Sequence, residues 1–333
     1  MGLIVKDQGA IPVSGSTPLT DEWIRERLRH FGMPPLPGQP VVWRGTSHYM
    51  SIERDHIVDL EGDPFLIRGN EREGRFGLDD QPKFWVKRAL DLNTGQMHIL
   101  KLVIQESFKV SVGASEVLCV RSAEKESKVL NLVRGDPRFM QGRTACDSRG
   151  NPVRVIDFIR GTDLLTHLDS VRVPHEEYCR TLLPAILAKV ADNVAALGRL
   201  HDAGLCHGDI RNDHLLVERE TGSYKWIDFD LDPGFSDFDV WSVGNILHYV
   251  VAKGFMTFRG AVDTWPELSG KLSRDDASVF FPHRVMNLRK IYPYLPEKLN
   301  EVLLRFSFGT GACYDRISQI TDDLAECVAA MGG

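Results

Sequence analysis

The sequence predicts an α+β fold in which a strand-rich N-terminal lobe is followed by a helical C-terminal lobe. Between about residues 45 and 158 the chain carries β-rich runs, among them 84–86 and 98–103, which a turn at 93–95 joins into a hairpin. After Gly161 helical patterns dominate, at about 180–203, 237–252, 296–306 and 315–330. Strands that precede a run of helices, rather than alternating with them, are typical of the α+β class.

The first 45 residues are predicted to form an extension with one short helix. Thr20 is a good N-cap, Asp21 and Glu22 suit the first turn, and Gly32 followed by Pro34 ends the helix. The Pro-rich run at 34–37 is interpreted as a linker, and autoinhibition, partner docking and packing on the next lobe all remain open as roles. The predicted division is an extension at 1–45, a strand-rich lobe at 46–158 with one helix at about 122–133, and a helical lobe at 159–333.

The composition is that of an ordinary soluble globular protein, with 43% hydrophobic and 26% charged residues. A net charge of −6 argues against an extended nucleic-acid surface. The six cysteines include no C-x-x-C pair, which disfavours a zinc ribbon or a redox motif and fits a cytoplasmic protein. The most apolar stretch, 182–200, contains Lys189, Asp192 and Arg199, so no membrane span is predicted.

One segment contains the candidate catalytic and metal-binding residues. Residues 207–214 read H-G-D-I-R-N-D-H, and after a short strand and a turn the sequence continues with I-D-F-D at 227–230. This pattern resembles the catalytic loop and the metal-binding motif of the protein-kinase-like superfamily, and its His-Gly-Asp form is similar to the branch of aminoglycoside phosphotransferases, choline kinases and lipopolysaccharide kinases. The motif alone also fits an Asp-rich turn between two helices.

The resemblance implies transfer of the γ-phosphoryl group of ATP to a hydroxyl. Asp209 would orient or deprotonate the acceptor hydroxyl, and Asp228 would hold Mg²⁺ against the phosphates, because a hard cation prefers carboxylate oxygens. Arg211 would steady the transferring group. The sequence D-V-W-S-V-G at 239–244 matches a helix start of the family, in which Asp239 would brace the backbone of the catalytic loop.

Further matches concern the nucleotide. Lys101, at the end of the predicted hairpin, would contact the α and β phosphates, and Glu126 on the following helix would pair with it, with Glu124 as the competing partner. Residues 155–164 resemble the family's hinge. In that hinge, backbone groups at Asp157 and Ile159 would read adenine and Asp163 would contact the ribose. The listed matches span residues 84–244 in the order that the family has them.

Three departures affect the phosphates and the metal. The stretch 79–85 takes the place of the phosphate-covering loop but has no glycine; Gly74 and Gly77 are a possible displaced version, and Lys83 would act as a point charge. His214 stands where the family has a metal-binding Asn, which predicts either a preference for Mn²⁺ over Mg²⁺ or a purely hydrogen-bonding role. Asp230 replaces the glycine of D-F-G and would add a carboxylate for the cation.

The fourth departure concerns the acceptor. Eleven positions separate Asp228 from Asp239, so the long activation segment ending in A-P-E, on which peptide substrates dock, is absent from the sequence. The acceptor is therefore expected to be a small molecule, a glycan or a lipid-linked hydroxyl rather than a conventional peptide. The alternatives are a pseudokinase that binds nucleotides or partners, and a nucleotidyl transferase on the same fold.

Overall fold

The computed structural model describes residues 2–6, 19–75, 78–112 and 115–331. The chain divides into two compact units, and each unit is made of three separate stretches of the chain. The first unit comprises Met1–Gln105, Ala123–Gly135 and Met140–Phe158, and the second comprises Glu106–Ser122, Asp136–Phe139 and Ile159–Gly333.

Both units combine strands with helices, in the proportions that the sequence predicts for an α+β protein. The described strands are β1 (Ile4–Lys6), β2 (Val41–Trp43), β3 (Ile57–Leu60), β4 (Asp63–Arg75), β5 (Leu78–Asp91), β6 (Met97–Lys101), β7 (Ser107–Val112), β8 (Ser115–Arg121), β9 (Gly142–Cys146), β10 (Pro152–Asp157), β11 (Gly161–Asp163), β12 (Leu215–Glu218), β13 (Tyr224–Trp226) and β14 (Leu231–Asp232). The described α-helices are α1 (Asp21–His30), α2 (Ala123–Leu132), α3 (Leu164–Asp169), α4 (His175–Thr181), α5 (Leu183–Asp202), α6 (Asp237–Ala252), α7 (Phe258–Thr264), α8 (Glu297–Leu304) and α9 (Ile317–Met331).

The first unit is built on one sheet, in the order β1-β2-β3-β4-β5-β6-β10-β9. The predicted hairpin is present as β5 and β6, with Val86 opposite Lys101. The expectation of a loop at 79–85 is wrong, because these residues continue β5 and pair with β4 through several register shifts. Gly77 lies outside the described residues, whereas Gly74 is part of β4.

Helix α1 packs into the first unit. Thr20 caps it by accepting a hydrogen bond from the Trp23 backbone N–H at 3.1 Å, as its sequence predicts. Ile24 and Leu28, one turn apart, are almost completely buried in an apolar cluster with side chains of β2 to β5. Of the three roles that the sequence leaves open for this segment, packing is the one that these contacts display.

The second unit contains the long helices, with one difference from the expected pattern. The helix expected at 180–203 is present as α5, and a short helix that the sequence did not predict, α4, precedes it and meets it at Leu182 with a bend of 63°. Pro184 is the reason, because its ring would clash with the carbonyl of residue 180 in a continuous helix but fits the first turn of α5. Helix α6 begins and ends as predicted and is buried on nearly all sides.

A hairpin that the sequence did not predict belongs to the second unit. Strands β7 and β8 pair antiparallel, and β8 also pairs with β14 at two positions, Leu231 opposite Arg121 and Asp232 opposite Val120. Val117, Cys119, Leu231 and Phe238 form a small apolar cluster beneath this sheet. The hairpin, which follows Lys101 in the chain, is thus paired with the strand that follows Asp228.

Among the residues that the structure describes, no single helix is long and apolar enough to cross a membrane, whereas α4 and α5 taken together pass that test by length and composition.

Candidate active site

In the first unit, Lys101 and Glu126 form the predicted ion pair. The Lys101 Nζ lies 2.8 Å from the Glu126 Oε1, and both side chains are almost fully buried. The other carboxylate oxygen of Glu126 accepts a hydrogen bond from Nε of Arg154 at 3.0 Å. Arg154 is itself buried, and its guanidinium donates to the carbonyls of Pro152 and Leu102. One carboxylate therefore holds two cations, which fixes the position of Lys101.

The remaining residues predicted for the nucleotide are spread over both units. Lys83 is half-buried on β5, where Glu71 is its register partner. Asp157 ends β10 with a largely exposed side chain 3.5 Å from His98, and Ile159 begins the following stretch of chain in the second unit. Asp163 caps α3, since its carboxylate accepts from the backbone N–H and the hydroxyl of Thr166. Their contacts with a nucleotide stay predictions.

In the second unit, Asp239 organises the backbone of the catalytic loop. Its carboxylate is fully buried and accepts the N–H groups of His207 and Gly208 at 2.6 and 2.7 Å, together with a bond from His201 at 2.9 Å. Burial alone would raise the pKa of Asp239, but these donors and the nearby histidine charge outweigh it and lower the pKa. Gly208 has a φ of +84°, which only glycine adopts without strain. The predicted bracing role is confirmed.

His214 lies between Asp209, the predicted catalytic aspartate, and Asp228, the predicted metal-binding aspartate. Its Nδ1 is 2.8 Å from the backbone carbonyl oxygen of Asp209 and 3.5 Å from the Asp209 carboxylate. Its Nε2 is 3.4 Å from the carboxylate of Asp228. A carbonyl oxygen only accepts hydrogen bonds, so Nδ1 carries the proton and, in the neutral ring, Nε2 presents a lone pair toward Asp228. The carboxylates of Asp209 and Asp228 therefore both lie close to the same imidazole ring.

Asp228 has a strained backbone. Its φ is +70°, in the left-handed region that residues other than glycine adopt at a cost of about 1 to 2 kcal/mol. Such outliers persist where the surrounding structure imposes them, and they concentrate at functional sites. Asp55, Glu61 and Lys253 have similar φ values, so this conformation does not by itself distinguish Asp228.

His214 and Asp228 supply two candidate ligands for the predicted cation. An imidazole lone pair facing a carboxylate oxygen at 3.4 Å is unfavourable unless a proton or a cation lies between the two groups. No group of three potential His, Cys, Asp or Glu ligands exists among the described residues. Asp228 and His214 would therefore supply at most part of a coordination sphere. Mg²⁺ and Mn²⁺ sites of this type are completed by nucleotide phosphates and water.

Asp230 and Arg211 already have ionic partners. Asp230 is buried and accepts a bond from Arg121 at 2.7 Å, and Arg121 also donates to Glu106 at 2.6 Å. Burial would lower the pKa of Arg121, but the carboxylates of Asp230, Asp228 and Glu106 outweigh it and raise the pKa.

Arg211 donates to the carboxylate of Asp213 from Nε at 2.9 Å and again from its terminal nitrogen. Burial would raise the pKa of Asp213, but the neighbouring charges of His214 and Arg211 outweigh it and lower the pKa. The metal role of Asp230 and the phosphoryl role of Arg211 remain predictions, and each would compete with these pairs.

Sequence reasoning missed three residues that shape these sites. Arg154 holds Glu126, and Arg121 holds Asp230, but neither position is marked by a local motif. Asn212 lies in the catalytic loop, buried, and its Oδ1 has no hydrogen-bond partner in the described part of the chain. For Asn212 a signal existed, because it lies three positions after the predicted catalytic aspartate and an amide can form a hydrogen bond with a hydroxyl or a phosphate.

The chain is similar in sequence to protein kinases. Ribosomal protein S6 kinase alpha-2 of Mus musculus is 28% identical over 156 residues, which is 47% of this chain and 19% of the kinase. CBL-interacting protein kinase 16 of Oryza sativa subsp. japonica is 27% identical over 50% of this chain and 33% of its own length. The chain thus spans about a fifth to a third of the curated relatives that it matches. No protein-family model matches it.

Solved kinase structures have limited similarity to this chain. The Mycobacterium tuberculosis PknI kinase domain has a TM-score of 0.46 at 15% identity, covering 79% of this chain and 95% of that one. The Cydia pomonella Granulovirus kinase PK-1 has a TM-score of 0.46 at 17% identity, covering 71% and 87%. Over about half its length this chain is similar in sequence to protein kinases, and it has the α+β composition and the lysine–glutamate pair that the resemblance predicts.

Proposed function

We propose that this protein is a metal-assisted phosphotransferase that moves the γ-phosphoryl group of ATP to a hydroxyl acceptor. The observation that carries the proposal is the placement of the Asp209 and Asp228 carboxylates on the two sides of one imidazole, that of His214. Sequence similarity to protein kinases and the buried pair of Lys101 and Glu126 support it.

Each residue has a distinct role in this proposal. Asp209 orients the acceptor hydroxyl and takes its proton as the oxygen attacks the γ phosphorus. Lys101, held by Glu126, contributes positive charge to the α and β phosphates. Asp228 and the Nε2 of His214 hold the cation. A bound Mg²⁺ or Mn²⁺ neutralises the phosphate charge and fixes the phosphate geometry.

The test combines binding with product analysis. We expect ATP with Mg²⁺ or Mn²⁺ to raise the melting temperature of the wild type, because a ligand that binds only the folded state stabilises it by mass action. The rise should disappear in Asp228→Ala. Asp209→Asn should keep the rise but lose turnover by about 10²- to 10⁴-fold, the usual contribution of a positioned general base. Asp263→Asn, at an exposed surface pair, is the matched control.

The products separate this function from its rivals. ADP together with a phosphorylated acceptor indicates a kinase, whereas release of pyrophosphate would indicate a nucleotidyl transferase. No thermal shift with any nucleotide and metal would favour a pseudokinase. Full activity of Asp209→Asn would refute the assignment of the catalytic aspartate.

A further inference from the structure

A pocket opens next to Asp209 within the second unit. It has a volume of about 310 Å³, at the lower end of the range of roughly 300 to 1,000 Å³ that small-molecule sites occupy. Part of its wall is the catalytic loop, with Asp209, Arg211 and Asn212. Much of the remainder is apolar, and five aromatic side chains contribute to it: Phe108, Phe238, Phe255, Phe280 and Phe281.

Two of these aromatic side chains are exposed to solvent. Phe108, from the β7–β8 hairpin, is 38% exposed, and Phe255 is 47% exposed. Large apolar side chains that are exposed around a concave site commonly contact an apolar ligand. The hairpin therefore contributes a hydrophobic side to the pocket that holds the catalytic aspartate.

Arg284 is the second cation of this pocket, beside Arg211, which pairs with Asp213. The guanidinium of Arg284 stacks on Phe281 and Phe255, 3.9 and 4.2 Å from the ring centroids. Its Nε is buried without a hydrogen-bond partner, and in the described residues no carboxylate forms an ion pair with it. The two acids of the pocket are engaged elsewhere, since Asp213 binds Arg211 and Asp209 lies beside His214.

Arg284 keeps its positive charge in this pocket although it is partly buried. Burial lowers its pKa to about 10, so the side chain is still charged at neutral pH. Burial, followed by the charge of Arg284, lowers the pKa of the nearby His248 to about 3, which leaves His248 neutral. Stacking uses the faces of the guanidinium and leaves its in-plane N–H donors for an anion.

We propose that the acceptor is an amphipathic small molecule, with a hydroxyl for Asp209, an apolar body against the phenylalanines and an anionic group that Arg284 binds. This inference rests on the proposed function and narrows its acceptor class. In the reaction, the acceptor oxygen forms a bond to the γ phosphorus while the bond from that phosphorus to the β–γ bridging oxygen breaks. The hydroxyl proton passes to Asp209, and ADP leaves. An acidic peptide is the competing occupant, and the small volume of the pocket disfavours it.

The experiment measures binding without ATP, so that it does not depend on turnover. The probes are 4-hydroxyphenylacetate and 6-hydroxyhexanoate, each compared with its neutral amide, together with a tripeptide of sequence Glu-Tyr-Glu. Calorimetry on the wild type should show each acid binding about 10- to 100-fold more tightly than its amide, the range expected for hydrogen bonds to a charged group. Because this comparison uses the wild type, it holds even where a variant fails to fold.

Substitutions of Arg284 test whether this residue causes the preference for acids over amides. Arg284→Gln should reduce the acid-to-amide ratio to within about twofold, and Arg284→Lys should retain part of it because the charge remains but the planar fork is lost. Arg259→Gln, at an exposed arginine of the same unit, is the control and should keep the wild-type ratio. Equal binding of acids and amides to the wild type, an unchanged ratio in Arg284→Gln, or binding of the peptide alone would overturn the inference.

Failure of the inference and failure of the proposed function give different results. An acid preference that depends on Arg284, without any ATP-dependent product, would leave the anion site standing and remove the kinase proposal. Phosphorylation of a neutral hydroxyl compound, equally fast in wild type and Arg284→Gln, would leave the kinase proposal and remove the anion site.

Discussion

At the scale of single residues, His214 decides how the candidate active site differs from the kinase pattern that it resembles. The hydrogen bond from Nδ1 to the Asp209 carbonyl fixes the tautomer, and Nε2 then faces Asp228. Second partners of this kind orient imidazole ligands in metal sites. An asparagine at this position would present a hard oxygen donor instead of a nitrogen, and nitrogen donors favour Mn²⁺ relative to Mg²⁺.

We therefore expect wild-type activity to depend more strongly on Mn²⁺ than on Mg²⁺, and His214→Asn to shift the preference toward Mg²⁺ by about tenfold or less, equivalent to about 1.4 kcal/mol. The measurement is a titration of each metal against ADP formation. His48→Asn, at an exposed position, serves as the control. Equal activity with both metals that His214→Asn leaves unchanged would rule out the histidine as a ligand.

At the scale of elements, the β7–β8 hairpin is held to β14 by few backbone pairs, by a small apolar cluster and by the buried side chain of Arg121. β8 and β14 pair at only two positions. Arg121 strengthens this connection, because it binds both Glu106 at the base of the hairpin and Asp230 just before β14. The side chains of Arg121 and Asp230 are 6% and 3% exposed, so this pair is shielded from water.

Arg121→Met should destabilise the second unit by about 3 to 5 kcal/mol, the usual cost of removing one partner from a buried ion pair. Chemical unfolding followed by fluorescence measures the loss, and limited proteolysis should show faster cleavage between residues 106 and 122. Lys109→Met is the control on the same hairpin, because its pair with Glu116 is exposed and contributes roughly 1 kcal/mol or less. Equal effects of the two substitutions would contradict a special role for Arg121.

At the scale of the whole molecule, the pH dependence of stability depends in part on one buried lysine. Lys87 is fully buried in the first unit, where its Nζ donates to the Ile52 carbonyl at 2.6 Å and to the Asn70 side chain at 2.8 Å. Burial lowers its pKa to about 8, from an ordinary value of 10.5. Between these two pH values the unfolded chain binds more protons than the folded chain, so the free energy of unfolding rises with pH across this interval.

The contribution of Lys87 to this rise should be on the order of 1 to 3 kcal/mol. Unfolding of wild type and Lys87→Met, measured between pH 7 and pH 11, isolates it, because other groups titrate in both proteins. The variant should show a smaller rise, and the exposed Lys109→Met should retain the wild-type slope. A Lys87→Met curve parallel to that of the wild type would show that Lys87 keeps an ordinary pKa in the folded state.

The sequence by itself determined the α+β order of elements, the N-cap of α1 and the bounds of α6. It also identified ion-pair and hydrogen-bond partners that belong to short motifs. The pairing of Lys101 with Glu126 and the bracing of the loop by Asp239 were also predictable, because both follow from motifs with a fixed order. The continuous strand at 79–85 was missed because its pairing with β4 includes bulges that weaken the period of two. The short helix α4, which ends just before α5, was missed although Pro184 was a visible signal for a helix start at this point.

Only the tertiary structure decided which charged side chains form ion pairs. Arg121 and Asp230 are 109 positions apart in the chain, and no local pattern predicts such a pair. The same holds for Arg284, whose neighbours Phe255 and Phe281 are ordinary apolar residues in the sequence and become stacking partners only when the loop folds. Period, caps and turn residues act over a few positions, whereas burial and ion pairing depend on distances in space that the order of residues along the chain does not specify.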